Sequence, residues 1–316
     1  MSQHPRLLLV TLFAAISVPV RAAASDTAGA GTETHTVTAA PLGEERPVGA
    51  NDQPDWTTQH RFSEVEVYLL APWEFSAEQG WDATAIRHGE TVHALRQEFE
   101  LGLPYHCQID YVAHEESDED GFHFSGNGIE ASAAFAKWGV IPLNPTLLVE
   151  WTFGYHESNE IEGKLLLGAD LAPHWHWGAN VGVEQDLGGE DERTIATSQA
   201  VSYSILGDKL GVGAELKLAA VRGEDEDDDG KPSASPSAGK DEDDDHYAIE
   251  LTAGPSIQWR ITDDIHLDAA SLFGLTGPSP FVDTFVTIAF TWELGGNGEA
   301  ESDENKRLEP VSTRHY

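Results

Sequence analysis

The sequence predicts an all-β protein, an antiparallel transmembrane β-barrel of about twelve strands. Three observations lead to it: an export signal at the start, long segments in which apolar and polar residues alternate, and connections whose lengths alternate between short and long.

The start of the chain sets the compartment. Arg6 supplies a basic residue, Leu7 to Val20 form an apolar run interrupted by Thr11 and Ser17, and Ala22-Ala23-Ala24 offers small residues for cleavage. The run is about 14 residues, whereas a spanning helix needs about 20, so residues 1–24 read as a cleaved signal peptide rather than an anchor. Residues 25–55 are rich in Ala, Thr, Gly, Pro and Glu without apolar periodicity, the composition of a flexible periplasmic leader. The barrel is expected over 56–294, with a polar C-terminal tail at 295–316.

Beyond the leader the period is two. Leu147, Val149, Trp151 and Phe153 alternate with Glu150 and Thr152, and Leu210, Val212, Ala214 and Leu216 alternate with Gly211, Gly213 and Glu215. Val286, Ile288, Phe290 and Trp292 alternate with Thr287, Thr291 and Glu293. Strands are expected near 61–72, 92–103, 106–113, 126–138, 146–156, 161–172, 175–186, 194–205, 209–221, 246–259, 265–275 and 281–293. Their length suits a tilted membrane strand of about ten residues better than a sandwich strand of about six. Trp138, Trp151, Trp175, Trp259 and Trp292 fall near segment ends, where an interfacial girdle would sit. Short links at 104–105, 173–174, 207–208 and 262–264 alternate with longer ones at 73–91, 114–125, 187–193 and 222–245. A periplasmic N-terminus then puts the short links inside and the acid-rich loops outside.

Composition narrows the partners. The formal net charge is -37, which excludes nucleic acid, because phosphate binding needs a basic surface. Much of that charge is local, in Glu115 to Asp120, Glu224 to Asp229 and Asp241 to Asp245, and such blocks read as solvated loops. Cys107 is the only cysteine, so there is no disulfide framework and no thiolate metal cluster. The expected partners are outer-membrane lipid, the outer-membrane assembly machinery and small solutes, and the expected location is the cell outer membrane.

The inner face is expected to carry Glu64, Glu66, Arg96, Glu98, Glu100, Asp110, Glu130, Glu150, Glu162, Lys164, Asp170, Glu184, Glu215, Lys217 and Glu250. This is either an ordinary polar lumen or an acidic one whose carboxylates favour cations, with Arg96, Lys164 and Lys217 paired to neighbouring carboxylates. Asp225, Asp227, Asp229 and Gly230 copy the start of a helix-loop-helix calcium loop, but Pro236 stands where its last glutamate belongs. No cofactor is required, and the acidic loop offers at most loosely bound divalent cations. His174-Trp175-His176-Trp177 holds two histidines on one strand face without a third ligand, and reads as aromatic-belt sequence at a turn.

Two resemblances add to this. Asn144-Pro145, Leu148-Val149-Glu150, Ile161 to Leu167, Trp175 to Asn180 and Gly254 to Trp259 together resemble a large family of uncharacterised Gram-negative outer-membrane barrels, grouped with the channel proteins of the phenol meta-pathway. That likeness, over roughly residues 95–293, implies a barrel channel and no catalytic set. Tyr155-His156-Glu157-Ser158-Asn159 resembles the His-x-Ser-Asn element of outer-membrane phospholipase A, which would make His156 the base, Ser158 the nucleophile and Asp170 the orienting group. The Gly-Arg that follows that element is replaced here by Glu160-Ile161, and a strand-end turn explains Ser158-Asn159 equally well. Three functions follow: a passive channel for small solutes with a cation-biased lumen, a non-conducting surface barrel with cation-binding loops, and a phospholipase-like hydrolase.

Overall fold

A computed structural model describes residues 43–58, 62–87, 89–118, 121–155, 158–188, 192–206, 209–222 and 247–294. The signal peptide, most of the leader, the 223–246 acidic loop and the C-terminal tail lie outside the described residues.

Twelve antiparallel strands close into one barrel. In chain order they are β1 (Glu74–Ala85), β2 (Thr91–Leu103), β3 (Cys107–Asp118), β4 (Gly121–Ala134), β5 (Thr146–Gly154) and β6 (Glu160–Ala172). They continue with β7 (Trp175–Asp186), β8 (Arg193–Ile205), β9 (Leu210–Arg222), β10 (Tyr247–Arg260), β11 (Ile265–Gly274) and β12 (Val282–Glu293). Each strand pairs with its sequence neighbour, and β12 closes on β1 from Glu293↔Glu74 to Val282↔Ala85. Closure leaves no open edge, so every strand's backbone is satisfied by its neighbours. Among the described residues no helix is long and apolar enough to cross a membrane.

Alternation decides what faces where. Phe99, Ile109, Tyr111, Ile129, Val149, Trp151, Val181, Ile257, Trp259, Phe290 and Trp292 are exposed on the outside, while Glu98, Glu100, Asp110, Glu130, Ser202 and Asp268 are buried inside. This inverts the pattern of a water-soluble protein, and is what a wall between lipid and a polar interior requires.

The count of strands matches the sequence expectation, but the first strand does not. Residues 61–72 were expected in the wall; residues 62–73 instead run through the barrel interior outside any strand, and the segment expected as the 73–91 loop holds β1. The alternation of Val65, Val67 and Leu69 with Glu64 and Glu66 is genuine, yet it reflects the two sides of an extended segment inside the lumen rather than lipid and lumen. β1 escaped notice because its outward face, Phe75, Ala77, Gln79, Trp81 and Ala83, is diluted by small and polar residues.

Two further expectations change. β3 and β4 run on to Asp118 and Gly121, so Glu115 to Asp118 are strand rather than loop; a register shift at His114/Glu115 accompanies the extension. The connection at 135–145 is long although it lies at the end carrying both termini of the barrel. The short-and-long rhythm is therefore less regular than the sequence suggested.

Candidate functional site

Residues 43–58 and 62–73 form a plug that enters from the end where Glu74 and Glu293 pair. Gly43–Glu45 makes a 3-10 turn, Pro47–Val48 pairs with Gln53–Pro54, and Asp55–Thr58 makes a second 3-10 turn. Asn51, Gln53 and Trp56 are fully buried, so residues 43–55 are folded structure and not the flexible leader that composition suggested. The chain then reaches mid-barrel at 62–66 and returns to the same rim at Trp73.

The plug is held by an apolar cluster of Trp56, Phe62, Val65, Val67, Tyr68 and Leu69 packed on Ala134, Ala200 and Trp138. The Trp56 ring lies edge-on to Trp138 at 5.8 Å and to Phe62 at 6.5 Å, and 4.7 Å from His176. Its indole nitrogen donates to Asp170 Oδ1 at 2.9 Å, and the same oxygen lies 2.8 Å from His176 Nδ1. Trp138 and His176 are thus interior anchors, not members of an aromatic girdle. Trp175, beside His176, does point outward. Tyr68 donates to Ala136 O at 2.6 Å, and burial pushes its hydroxyl up to about 12, so it remains a donor at any physiological pH.

Small residues make the space. A Cβ on Gly168 would lie 2.0 Å from Val67 Cγ1, and one on Gly178 would lie 2.8 Å from Val65 Cγ1. Gly168→Ala should therefore push the plug off the wall, weakening its docking by about 1–3 kcal/mol while leaving the barrel intact. Faster chymotryptic cleavage at Phe62 or Tyr68 in the folded protein is the expected readout; wild-type cleavage would mean that the contact relaxes in place.

An irregular segment inside a barrel has no strand partner for its backbone, and buried N–H groups must find acceptors elsewhere. Wall side chains supply them. Glu215 accepts from Ser63 N at 3.1 Å and Glu64 N at 3.0 Å. Asn180 Oδ1 accepts from Glu66 N at 3.0 Å while its Nδ2 donates to Glu66 O at 2.8 Å. Gln108 Oε1 accepts from Leu70 N at 2.6 Å, and its Nε2 donates to Glu100 at 3.2 Å. At the rim, Asp55 pairs with Arg260, Asp52 with Lys137 at 2.9 Å, and Glu45 accepts from His174 N at 2.8 Å.

Charges cluster beyond the plug tip. Lys217 lies 2.8 Å from Glu64, Lys164 lies 2.8 Å from Glu162 and 3.8 Å from Glu66, and Arg96 lies 3.1 Å from Glu98. Glu150, Glu184 and Glu250 share the inward parity of their strands, and Asp110 and Glu130 are buried in the wall. Glu64 and Glu66 are in the interior too, but they come from the plug rather than from a strand.

The other sequence candidates do not assemble into a site. Ser158 Oγ donates to Asp186, which holds the hydroxyl at the far end of β7, whereas Asp170 lies at the opposite end of β6, across from His176. Asp170 is engaged by Trp56 and His176. His156 and the loop residues Asp225, Asp227 and Asp229 lie outside the described residues. Sequence reasoning missed Trp56, Gln53, Gln108, Asn180 and Trp138. Their only signal was indirect: glycine and alanine at inward positions such as Gly168, Gly178 and Ala200, which leave room for something to fill.

No protein-family model matches the chain, and no curated protein matches it. Solved structures do. An outer-membrane channel from Pseudomonas putida F1 superposes with a TM-score of 0.50 at 8% identity, covering 72% of this chain and 98% of that one. The KdgM porin gives 0.42 at 9% identity, covering 69% and 99%, and the NanC porin 0.44 at 10%, covering 70% and 100%. At such identity the likeness to the Pseudomonas putida channel is one of fold: a closed antiparallel β-barrel of the outer-membrane type.

Proposed function

We propose that the protein is an outer-membrane channel for small solutes, with a cation-biased lumen whose terminal-end half is occluded by residues 43–58 and 62–73. The single observation that carries this reading is the imbalance of inward charge. Glu78, Asp82, Glu98, Glu100, Asp110, Glu130, Glu150, Glu162, Glu184 and Glu215 are opposed within the spanning wall by Arg96, Lys164 and Lys217. Each of these cations is already paired to a carboxylate, so the field left over along the lumen is negative and concentrates cations. The exposed apolar exterior supports insertion in a bilayer, and the fold shared with an outer-membrane channel supports the same location.

Purified protein in a planar bilayer with a salt gradient tests it. The expected reversal potential has the sign of cation selectivity, with cations preferred by about threefold or more. A potential of anion sign would defeat the acidic-lumen reading.

The filled interior favours a second reading, a non-conducting surface barrel. No conductance in either the intact protein or a form without the plug would establish that one instead.

A further inference from the structure

β2, β3 and β4 lie side by side, and their inward carboxylates Glu98, Asp110 and Glu130 meet in the interior, Glu98 two residues along β2 from Glu100, which stands opposite Asp110. Asp110 sits directly across from Glu130 on one side and from Glu100 on the other. One oxygen from each of Glu98, Asp110 and Glu130 lies within 4.8 Å of the others, and the three residues are 4%, 2% and 5% exposed. Closeness of acids alone would signify little. The second observation is Asp110 itself: both its carboxylate oxygens are buried and neither accepts a hydrogen bond of regular geometry, the neighbouring Gln108 amide donating to Glu100 instead. Glu215, by contrast, has both oxygens satisfied by plug N–H groups, those of Ser63 and Glu64. A buried carboxylate without a regular hydrogen bond is costly, and a metal ion is one of the few things that satisfies both oxygens at once.

We infer that Glu98, Asp110 and Glu130 form a calcium site in the barrel wall. The chemistry suits calcium best. Hard cations take carboxylate oxygens, and oxygens bound to one calcium at 2.3–2.6 Å stand up to about 5 Å apart, which the trio satisfies. Magnesium binds at about 2.0–2.1 Å in a strict octahedron and keeps several waters, which a crowded, buried wall accommodates poorly. Charge fits as well: Arg96 beside Glu98 offsets one of the three carboxylates, leaving an excess that one divalent cation neutralises. Glu100 adds a neighbouring negative charge while being engaged by Gln108, the residue that also holds the plug at Leu70. Calcium there would join three adjacent strands and stiffen the wall against which the plug returns. The assignment uses none of the acidic residues around Asp225, and it does not depend on whether the barrel conducts.

The test uses the folded full-length protein in detergent, stripped with a chelator and titrated with calcium chloride in equilibrium dialysis. One calcium per chain is expected, with a dissociation constant of about 10⁻⁷–10⁻⁵ M, together with a higher melting temperature in calcium than in chelator. Asp110→Asn should weaken binding at least about tenfold and abolish the melting shift. The triple change Asp225→Asn, Asp227→Asn, Asp229→Asn should leave both unchanged. Glu130→Gln serves as the second variant should Asp110→Asn not give a heat-modifiable barrel. Absence of calcium binding by the wild type in this range, wild-type affinity in both wall variants, or loss of binding only in the loop variant would each overturn the assignment. Absence of binding would indicate that the trio shares protons instead.

Discussion

Deleting residues 43–71, so that position 42 joins Pro72, is expected to raise single-channel conductance by about tenfold. The size follows from geometry. Twelve strands about 4.8 Å apart and tilted by about 40° close at a backbone radius of about 12 Å, and inward side chains about 5 Å long leave a bore about 14 Å wide. With the plug in place, Trp56, Phe62, Val65 and Leu69 are nearly inaccessible, and plug atoms meet β2, β3, β4, β6, β7, β8, β9 and β10. A remaining path about one ion wide, roughly 4 Å, would make the ratio of cross-sections about ten. The barrel should survive the deletion, because its ladders run strand to strand and use none of the plug's backbone. Glu215, Asn180 and Gln108 would lose their plug partners, but an opened lumen lets water replace them. Heat-modifiable migration on a denaturing gel checks folding, and planar-bilayer recordings check conductance. An unchanged conductance in a folded deletion would mean that the restriction lies in the charged belt around Arg96, Lys164 and Lys217 rather than in the plug.

The wall was legible in the sequence because two solvents act on each strand, and each leaves its mark at every second residue. Leu210 to Leu216 on β9 and Val286 to Trp292 on β12 face out, and their polar partners face in, as alternation alone predicted. The plug was illegible for the same reason. Inside the lumen Val65, Val67 and Leu69 meet the wall at Gly168 and Gly178, while Glu64 and Glu66 meet Lys217 and Lys164, so an extended segment with two environments imitates a strand. Nothing local separates the two cases. What differs is the partner: a wall strand is satisfied by neighbouring backbone, the plug by side chains far away in sequence. Glu98, Glu100, Asp110, Glu130 and Glu215 are buried, yet which acids bind the plug, which pair with a cation and which stand together in the wall depends on the register between strands. Asp110 opposite Glu130 is a product of the β3–β4 register, and no spacing in the sequence reveals it.

Trp56→Ala should release the plug without deleting it, and its effect is the largest expected of any single substitution. The side chain is 0% exposed, and it joins the plug to three wall elements through Trp138, His176 and Asp170. Truncating a buried tryptophan costs about 3–5 kcal/mol, and here that cost falls on the docked plug rather than on the strand ladders. Since about 1.4 kcal/mol is tenfold, the undocked fraction should rise by about two to three and a half orders of magnitude. Long openings towards the conductance of the deletion form are the expected recording, with faster chymotryptic cleavage at Phe62 and Tyr68 in parallel. Trp56→Phe separates the two contributions. It keeps an aromatic ring among Trp138, Phe62 and His176 and loses the N–H to Asp170 with part of the buried ring, a difference of about 1–2 kcal/mol. The order of open probability should then be Ala well above Phe, and Phe above wild type. Equal effects of Ala and Phe would assign the anchor to the Asp170 hydrogen bond alone. Wild-type behaviour in both would shift the hold on the plug to the Glu215, Asn180 and Gln108 side chains that grip its backbone deeper in the barrel.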